Sequence, residues 1–162
     1  MSTTHFSGPV ESEAGFSVNG TLVINENGDF VGESVESSEV VTATNVLTAT
    51  ESGKTLYLDA AAGFETTLPA AALGLNFKFV VKTAPTSDGY TITGDPADKI
   101  YGTVACSGAE ATINGVTASA ADNVILVHNQ ATIGDLVAFM SDGANWYVTG
   151  NVNTYAALTA NG

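Results

Sequence analysis

The sequence contains no arginine and only four lysines, against seventeen aspartates and glutamates, so its formal net charge at pH 7 is −13. Binding to nucleic acid depends on Lys and Arg to displace counterions from phosphates, and anionic membranes attract the same residues. The charge balance therefore predicts a protein with no nucleic-acid partner and no membrane partner. The missing arginine also disfavours phosphate or carboxylate substrates, which Arg binds through two parallel hydrogen bonds.

Cysteine and long apolar runs are equally scarce. Cys106 is the single cysteine of the chain, which excludes an intrachain disulfide and is typical of a protein made in a reducing cytoplasm. No apolar stretch approaches the roughly 18–20 residues of a membrane-spanning helix. The opening residues Met1–Phe6 lack the basic and apolar regions of a signal peptide, so we expect no secretion signal.

Sustained helical periodicity is absent as well, and alternation with a period of two takes its place. The clearest predicted strand is Leu75–Lys82, in which Leu75, Phe77, Phe79 and Val81 share one face. Further strands are predicted over Val40–Thr50, Lys54–Asp59, Phe64–Leu68, Tyr90–Thr93, Ile100–Val104 and Val124–His128. Many short strands at even spacing predict an all-β fold, with a β-sandwich or barrel-like body.

Three tight hairpins are predicted from turn residues, because Asn-Gly readily adopts the positive φ values that such turns need. They are Thr21–Asn25 with Asp29–Gly32 around Asn27-Gly28, Ala111–Ala118 around Asn114-Gly115, and Leu136–Met140 with Trp146–Thr149 joined by Asp142–Asn145. The tail Asn151–Gly162 is polar and without pattern, so no strand is predicted there.

The chain is predicted to divide into two parts. Residues Thr3–Gly15 mix Gly, Pro and Ser, and Pro9 removes a backbone donor, so this segment suits an extended arm. The acidic, serine-rich stretch Glu33–Glu39 is typical of a linker or exposed loop. We therefore expect an N-terminal arm and hairpin over residues 1–36 and an all-β body over residues 37–162.

Candidate catalytic groups are few. A cysteine nucleophile would need Cys106 beside His128 or His5, since an imidazole activates the thiolate in cysteine hydrolases. Cys106 stands in Ala-Cys-Ser-Gly, which matches no nucleophile signature. Paired carboxylates are a weak signal, because seventeen acids bring some pair close in any fold. We predict no catalytic residue and no enzymatic activity.

Metal ligands are the stronger alternative to catalysis. The loop Asn25–Asp29 superficially resembles an oxygen-rich calcium loop, and Asp95, Asp98 and Asp142 also fall in predicted turns. The loop lacks the distal bidentate Glu of such sites, and Asn and Asp are good turn formers without any metal. We favour the turn interpretation and predict no metal and no cofactor.

Several segments resemble one group of proteins. The opening Thr4–Val10, continuing to Gly15-Phe16, resembles the start of small structural proteins in tailed phages of marine bacteria and cyanobacteria. The middle of the chain is similar to the same group in Leu56–Ala60, Thr67–Pro69, Phe77–Val81 and Tyr90–Thr93, and Asp142–Val148 is similar to the closing hairpin of phage fibre and decoration domains. The resemblance extends over about residues 4–150. Its motifs are strand and turn patterns of moderate specificity.

The resemblance implies a virion structural protein. The leading expectation is a capsid decoration, or cement, protein that is made in the host cytoplasm, binds the major capsid protein of the assembled shell and stabilises it as a homotrimer. Within the arm, the expected capsid contacts are His5, Phe6, Pro9, Val10 and Phe16. An extended segment of this kind can add to a sheet edge on its partner, with side chains in pockets.

Two other functions stay open. The first is a head-fibre or tail-fibre domain that binds a host-surface glycan, and the second, more remote, is a phage enzyme acting on the cell envelope. A glycan site would draw on exposed aromatic residues, for which the candidates are Tyr57, Tyr90, Tyr101, Trp146, Tyr147 and Tyr155. The same residues could instead lie in the core or in a trimer interface. Trp146 and Tyr147 are adjacent in a predicted strand, so we expect one buried and one accessible side chain.

Overall fold

The computed structural model describes residues 16–18, 21–24, 37–107 and 116–162. Internal contacts divide the chain into two units, Met1–Val35 and Glu36–Gly162, a division one residue before the predicted boundary. In the first unit, strand β1 (Phe16–Val18) pairs antiparallel with strand β2 (Thr21–Ile24).

Strand β2 has one partner that the sequence analysis did not predict. Thr21–Ile24 pairs with Phe16–Val18, which precedes it across the dipeptide Asn19-Gly20, a second Asn-Gly besides the predicted Asn27-Gly28. Both dipeptides have the composition of a tight turn, and the three-residue strand before the earlier one is too short to show a clear alternation. The predicted turn and second strand over residues 25–32 lie outside the described residues.

The second unit contains twelve strands and two short 3-10 helices in its described part. The strands are β3 (Ser38–Val41), β4 (Asn45–Val46), β5 (Thr55–Leu58), β6 (Phe64–Thr67), β7 (Asn76–Val81), β8 (Tyr90–Thr93), β9 (Ile100–Cys106), β10 (Val116–Ala121), β11 (Asn123–Leu126), β12 (Leu136–Ser141), β13 (Trp146–Val152) and β14 (Leu158–Asn161). The 3-10 helices are Ala49–Glu51 and Tyr155–Ala157. The described residues include no helix that is both long and apolar enough to cross a membrane.

The twelve strands form two mixed sheets that pack against each other as a β-sandwich, which confirms the predicted all-β class. The larger sheet has the order β10-β9-β13-β12-β7-β5-β3, and the smaller sheet has the order β14-β11-β8-β6-β4. Between them lies one hydrophobic cluster to which both sheets contribute buried side chains. Burial of one face of each sheet against the other supplies the main stabilising term of such a fold.

The first half of this body is built from parallel coils. From β3 to β8 the chain alternates between the sheets, so that β3, β5 and β7 are parallel neighbours in the larger sheet. The strands β4, β6 and β8 are parallel neighbours in the smaller sheet. Residues 38–93 therefore form three stacked two-strand coils, called the coil half below. Parallel neighbours need such crossovers, which tight hairpins cannot provide.

The second half, residues 100–161, is mostly antiparallel and is called the antiparallel half. Here β10 pairs with β9, β12 pairs with β13, and β11 pairs with β14, all antiparallel. Two antiparallel ladders, β12 with β7 and β11 with β8, join this half to the coils. The exception within it is the parallel ladder between β9 and β13.

The core follows the predicted alternation. Phe77, Phe79 and Val81 of β7 are buried, as are Leu56 and Leu58 of β5. The ring of Phe79 meets that of Phe139 edge to face at 5.7 Å, and the ring of Phe77 lies 5.9 Å from that of Trp146. These aromatic contacts join the coil half to the antiparallel half, so the two halves share one core.

The other two predicted hairpins have different outcomes. The hairpin of β12 and β13 around Asp142–Asn145 is confirmed. Of the hairpin predicted within Ala111–Ala118, only residues 116–118 are described, and they pair with β9, Val116 opposite Val104.

Two stretches of the body were assigned incorrectly. Val40–Thr50 is not one strand, since β3 ends at Val41 and β4 holds only two residues. The tail also departs from its prediction, because Leu158–Asn161 forms β14 along β11, with Leu158 buried. This segment forms a strand because Leu158 is buried in the core and the edge of β11 is available for pairing. The local sequence pattern shows neither of these contacts.

Candidate functional site

Most of the predicted capsid contacts lie outside the residues that the structure describes. His5, Phe6, Pro9 and Val10 are outside the described residues, and only the backbone of Phe16, at the start of β1, is within them. Their role in attachment therefore stays a prediction from the sequence.

The candidate cysteine and histidine belong to different sheets. Cys106 ends β9 in the larger sheet, half-buried, with its Sγ 3.7 Å from the backbone oxygen of Asn153. His128 follows β11 of the smaller sheet and is exposed, while His5 lies outside the described residues. In the described part of the chain, no three His, Cys, Asp or Glu side chains converge as metal ligands would.

The aspartates of the predicted turns accept hydrogen bonds from backbone N–H groups. Asp95 Oδ1 accepts from the N–H of Ala97 at 3.0 Å, and Asp98, which is buried, accepts from the N–H of Ala71. The bond of Asp95 fixes its own turn, whereas that of Asp98 joins two loops distant in the chain. The calcium-like loop Asn25–Asp29 lies outside the described residues.

A buried carboxylate that sequence reasoning missed joins two loops of the larger sheet. Asp135 Oδ2 accepts from the N–H of Thr132 at 2.8 Å, and Oδ1 accepts from the N–H of Asn153 at 2.8 Å. The hydroxyl of Thr132 also lies 3.2 Å from Oδ1. A buried charge with several hydrogen-bond donors around it is a structural element rather than a free reactive group.

The most distinctive exposed feature is a row of side chains across the larger sheet. Tyr101 of β9, Tyr147 of β13, Met140 of β12 and Asn76 of β7 are register partners on four adjacent strands. We call these four residues the tyrosine row. The two tyrosines and Met140 are 36%, 41% and 50% exposed, so the row faces solvent rather than the core. Trp146, next to Tyr147, is fully buried, as the alternation predicted.

The two tyrosine rings form one exposed surface. Their centroids are 6.2 Å apart and their planes are inclined by 33°. The hydroxyl of Tyr147 donates to Asp142 Oδ2 at 2.9 Å, and Asp142 Oδ1 accepts from the N–H groups of Ala144 and Asn145 at 2.9 and 2.8 Å. These hydrogen bonds hold the pKa of Asp142 below its usual range, and the carboxylate raises the pKa of Tyr147. The Tyr147 ring is thereby fixed to the β12–β13 turn.

A cleft adjoins the row at its β7 and β12 end. It has a volume of about 410 Å³ and shares Asn76 and Met140 with the row. Leu75 and Ala138 add apolar surface to its wall, and Nδ2 of Asn76 donates to the carbonyl of Gly74 at 3.2 Å. The cleft thus combines apolar surface with an oriented amide, as small-molecule sites do.

Sequence reasoning named Tyr101 and Tyr147 as candidates without placing them together. The two tyrosines are neighbours because β9 and β13 pair in parallel, although β10, β11 and β12 lie between them in the chain. Alternation shows which face a side chain takes but not which strand lies beside it. The row is therefore a product of topology.

No protein-family model, no curated protein and no solved structure matches this chain. The protein's own residues provide three chemical features. They are a fixed aromatic surface with a cleft beside it, carboxylates bound to backbone N–H groups, and a large negative charge.

Proposed function

We propose that the chain is a virion structural protein that decorates a bacteriophage capsid and has no enzymatic activity. The observation that carries the proposal is the character of the body, an all-β sandwich whose carboxylates hold turns and loops together. Asp98, Asp135 and Asp142 each accept backbone N–H groups. This arrangement suits a rigid binding module, and the resemblance to phage decoration and fibre proteins supports the same function.

Binding to an assembled shell would stabilise that shell by mass action, since a ligand that binds only one state shifts the equilibrium toward it. The partner is the major capsid protein, and the contacts are His5, Phe6, Pro9, Val10 and Phe16 on the N-terminal arm. A homotrimer on the capsid surface would multiply a weak arm contact through avidity.

The charge distribution supports docking onto a basic or mixed surface. Within the described residues, lysines form ion pairs with carboxylates of the body: Lys54 with Glu39 and Glu51, Lys82 with Asp59, and Lys99 with Asp122. Acidic residues still outnumber lysines by seventeen to four, which gives a formal charge of −13 over 162 residues. Charge of one sign steers association with surfaces of the opposite sign and suppresses non-specific association.

The test removes the arm. A chain without residues 1–15 should keep the thermal unfolding transition of the body and lose binding to capsid shells in a sedimentation assay. In the full-length chain, Phe6→Ala with Val10→Ala should weaken binding, and the matched pair Thr3→Ala with Ser12→Ala should not. Normal decoration of shells by the shortened chain would overturn the attachment model.

The second candidate, a head-fibre or tail-fibre domain that binds host glycan, is favoured by the exposed pair Tyr101 and Tyr147. The two candidates share a fold and differ in location. A fibre domain would be found at a vertex or on the tail, whereas a decoration protein would be found all over the shell.

A further inference from the structure

The tyrosine row offers a broad aromatic surface to solvent. Tyr101 and Tyr147 lie on adjacent strands, and Met140 continues the surface on the next strand. Strands in a sheet are about 4.8 Å apart, so the four strands of the row span about 14 Å. A surface of that length suits an elongated ligand better than a single small ring.

The surface is largely formed before any ligand arrives. Tyr147 is held through its hydroxyl by Asp142, which two backbone N–H groups fix in turn. Tyr101 packs beside it at 6.2 Å. A ring that is already immobilised loses little side-chain entropy on binding, which favours affinity.

Polar groups with both hydrogen-bonding senses stand beside the row: Asp142 in the turn between its two middle strands, β12 and β13, and Asn76 at its β7 end. Asp142 accepts three hydrogen bonds, and a carboxylate offers about four acceptor positions, so one remains for a ligand hydroxyl. At the β7 end of the row the amide of Asn76, oriented by Gly74, carries donor and acceptor groups beside the cleft. An apolar partner would leave these groups desolvated without compensation.

Exposed aromatic rings beside a carboxylate and an amide favour a sugar as the ligand. The face of an aromatic ring is the negative part of its quadrupole and attracts the polarised C–H groups of a sugar ring. Hydroxyls at the sugar's edge can reach the carboxylate and the amide. Nucleic-acid bases also stack on tyrosine, but their phosphates would meet a chain of charge −13. Lys54 and Lys78 also line the cleft, and Lys54 is neutralised there by ion pairs with Glu39 and Glu51. Asp142 stands next to the rings and disfavours an anionic saccharide at the row itself.

We propose that the tyrosine row, with Asp142 and the cleft beside Asn76 and Met140, is a binding site for a neutral oligosaccharide. Tyr101 and Tyr147 stack against successive sugar rings, Asp142 accepts a sugar hydroxyl, and Asn76 binds the part of the chain that enters the cleft. The site is compatible with either location in the particle, so it does not depend on shell binding.

The experiment uses the full-length chain on an array of neutral oligosaccharides built from glucose, galactose and N-acetylglucosamine, followed by calorimetric titration of the saccharide that binds best. Tyr101→Ala and Tyr147→Ala should each weaken binding by about tenfold or more, as expected for central aromatic contacts. The matched control is Tyr155→Ala, because Tyr155 is also exposed, at 52%, but lies in a 3-10 helix away from the row. Its affinity should equal that of the unchanged chain.

Tyr147→Phe separates loss of the binding surface from loss of the fold, because it keeps the ring and removes only the hydrogen bond to Asp142. We expect a smaller loss of affinity than with Tyr147→Ala, at an unchanged unfolding temperature. The proposal is overturned if no neutral saccharide binds, or if the row variants bind like the unchanged chain, or if Tyr155→Ala loses as much as they do. Shell binding by the row variants is measured separately, so failure of this site and failure of the decoration proposal are distinguishable.

Discussion

The two halves of the body differ in how they bring their strands side by side in the two sheets. The coil half stacks β3 to β8 as parallel neighbours, each strand returning to its sheet after one crossover. The antiparallel half brings together strands that are distant in the sequence, such as β9 and β13. The coil half is thus a regular scaffold, whereas three of the four side chains of the tyrosine row come from the antiparallel half.

The largest loss of stability should come from removing the aromatic contact that joins the two halves. Phe79 of β7 and Phe139 of β12 are both fully buried and meet edge to face. We expect Phe79→Ala to lower the free energy of unfolding by about 3–5 kcal/mol through lost burial and a cavity. Chemical denaturation should still show one cooperative transition. Separate transitions for the two halves would contradict a shared core.

The seam between β9 and β13 depends on a glycine. Gly102 has a φ of +134°, and a Cβ at this position would overlap the backbone oxygen of Val148 on β13. We expect Gly102→Ala to cost about 3 kcal/mol, from overpacking and an unfavourable φ together.

The matched control for this substitution is Gly53→Ala in the coil half. Gly53 also has a positive φ, +92°, but a Cβ there would meet open space. A cost of about 1 kcal/mol is expected from the backbone alone. Equal losses of stability in the two variants, measured by urea unfolding, would show that close approach of β9 and β13 is not the cause.

The coils are also held together by one buried hydroxyl. Tyr90 Oη accepts from the N–H of Ala60 at 2.8 Å and lies 2.7 Å from the carbonyl oxygen of Thr83, so it joins the loops after β5 and β7. Tyr90→Phe leaves the N–H of Ala60 without this partner and should cost about 2 kcal/mol. Tyr57→Phe, at an exposed ring of the same half, should change stability by less than about 0.5 kcal/mol. Similar values for both would contradict the role of the Tyr90 hydroxyl.

The smallest effect concerns an ion pair on the surface of the coil half. Hydrogen bonds from Lys54 and Thr48 lower the pKa of Glu51 from 4.5 to about 2. A lowered carboxyl pKa stabilises the fold above the unfolded-state value and loses this contribution as pH falls from about 4.5 to about 2. The stability gap between the unchanged chain and Glu51→Gln should be under about 1 kcal/mol at pH 7, because solvent screens the pair, and should vanish near pH 2. A gap that is constant with pH would contradict this origin.

The sequence predicted the features that depend on local pattern. Alternation identified the buried faces of β5 and β7, and the turn residues Asp142–Asn145 identified the hairpin of β12 and β13. Partner choice was harder, because a period of two does not specify which strand lies alongside. For that reason the parallel coils, the strand β14 and the pairing of Tyr101 with Tyr147 appear only in the structure.

The central proposal, decoration of an assembled shell, is tested most directly by electron microscopy of undecorated tailed-phage capsids after incubation with the purified protein. Capsids without added protein are the control. The proposed function predicts regular additional density at symmetry-related positions over the whole shell, and this density would also show the oligomeric state. An unchanged shell, or density at one vertex or on the tail alone, would contradict the decoration proposal and favour the fibre alternative.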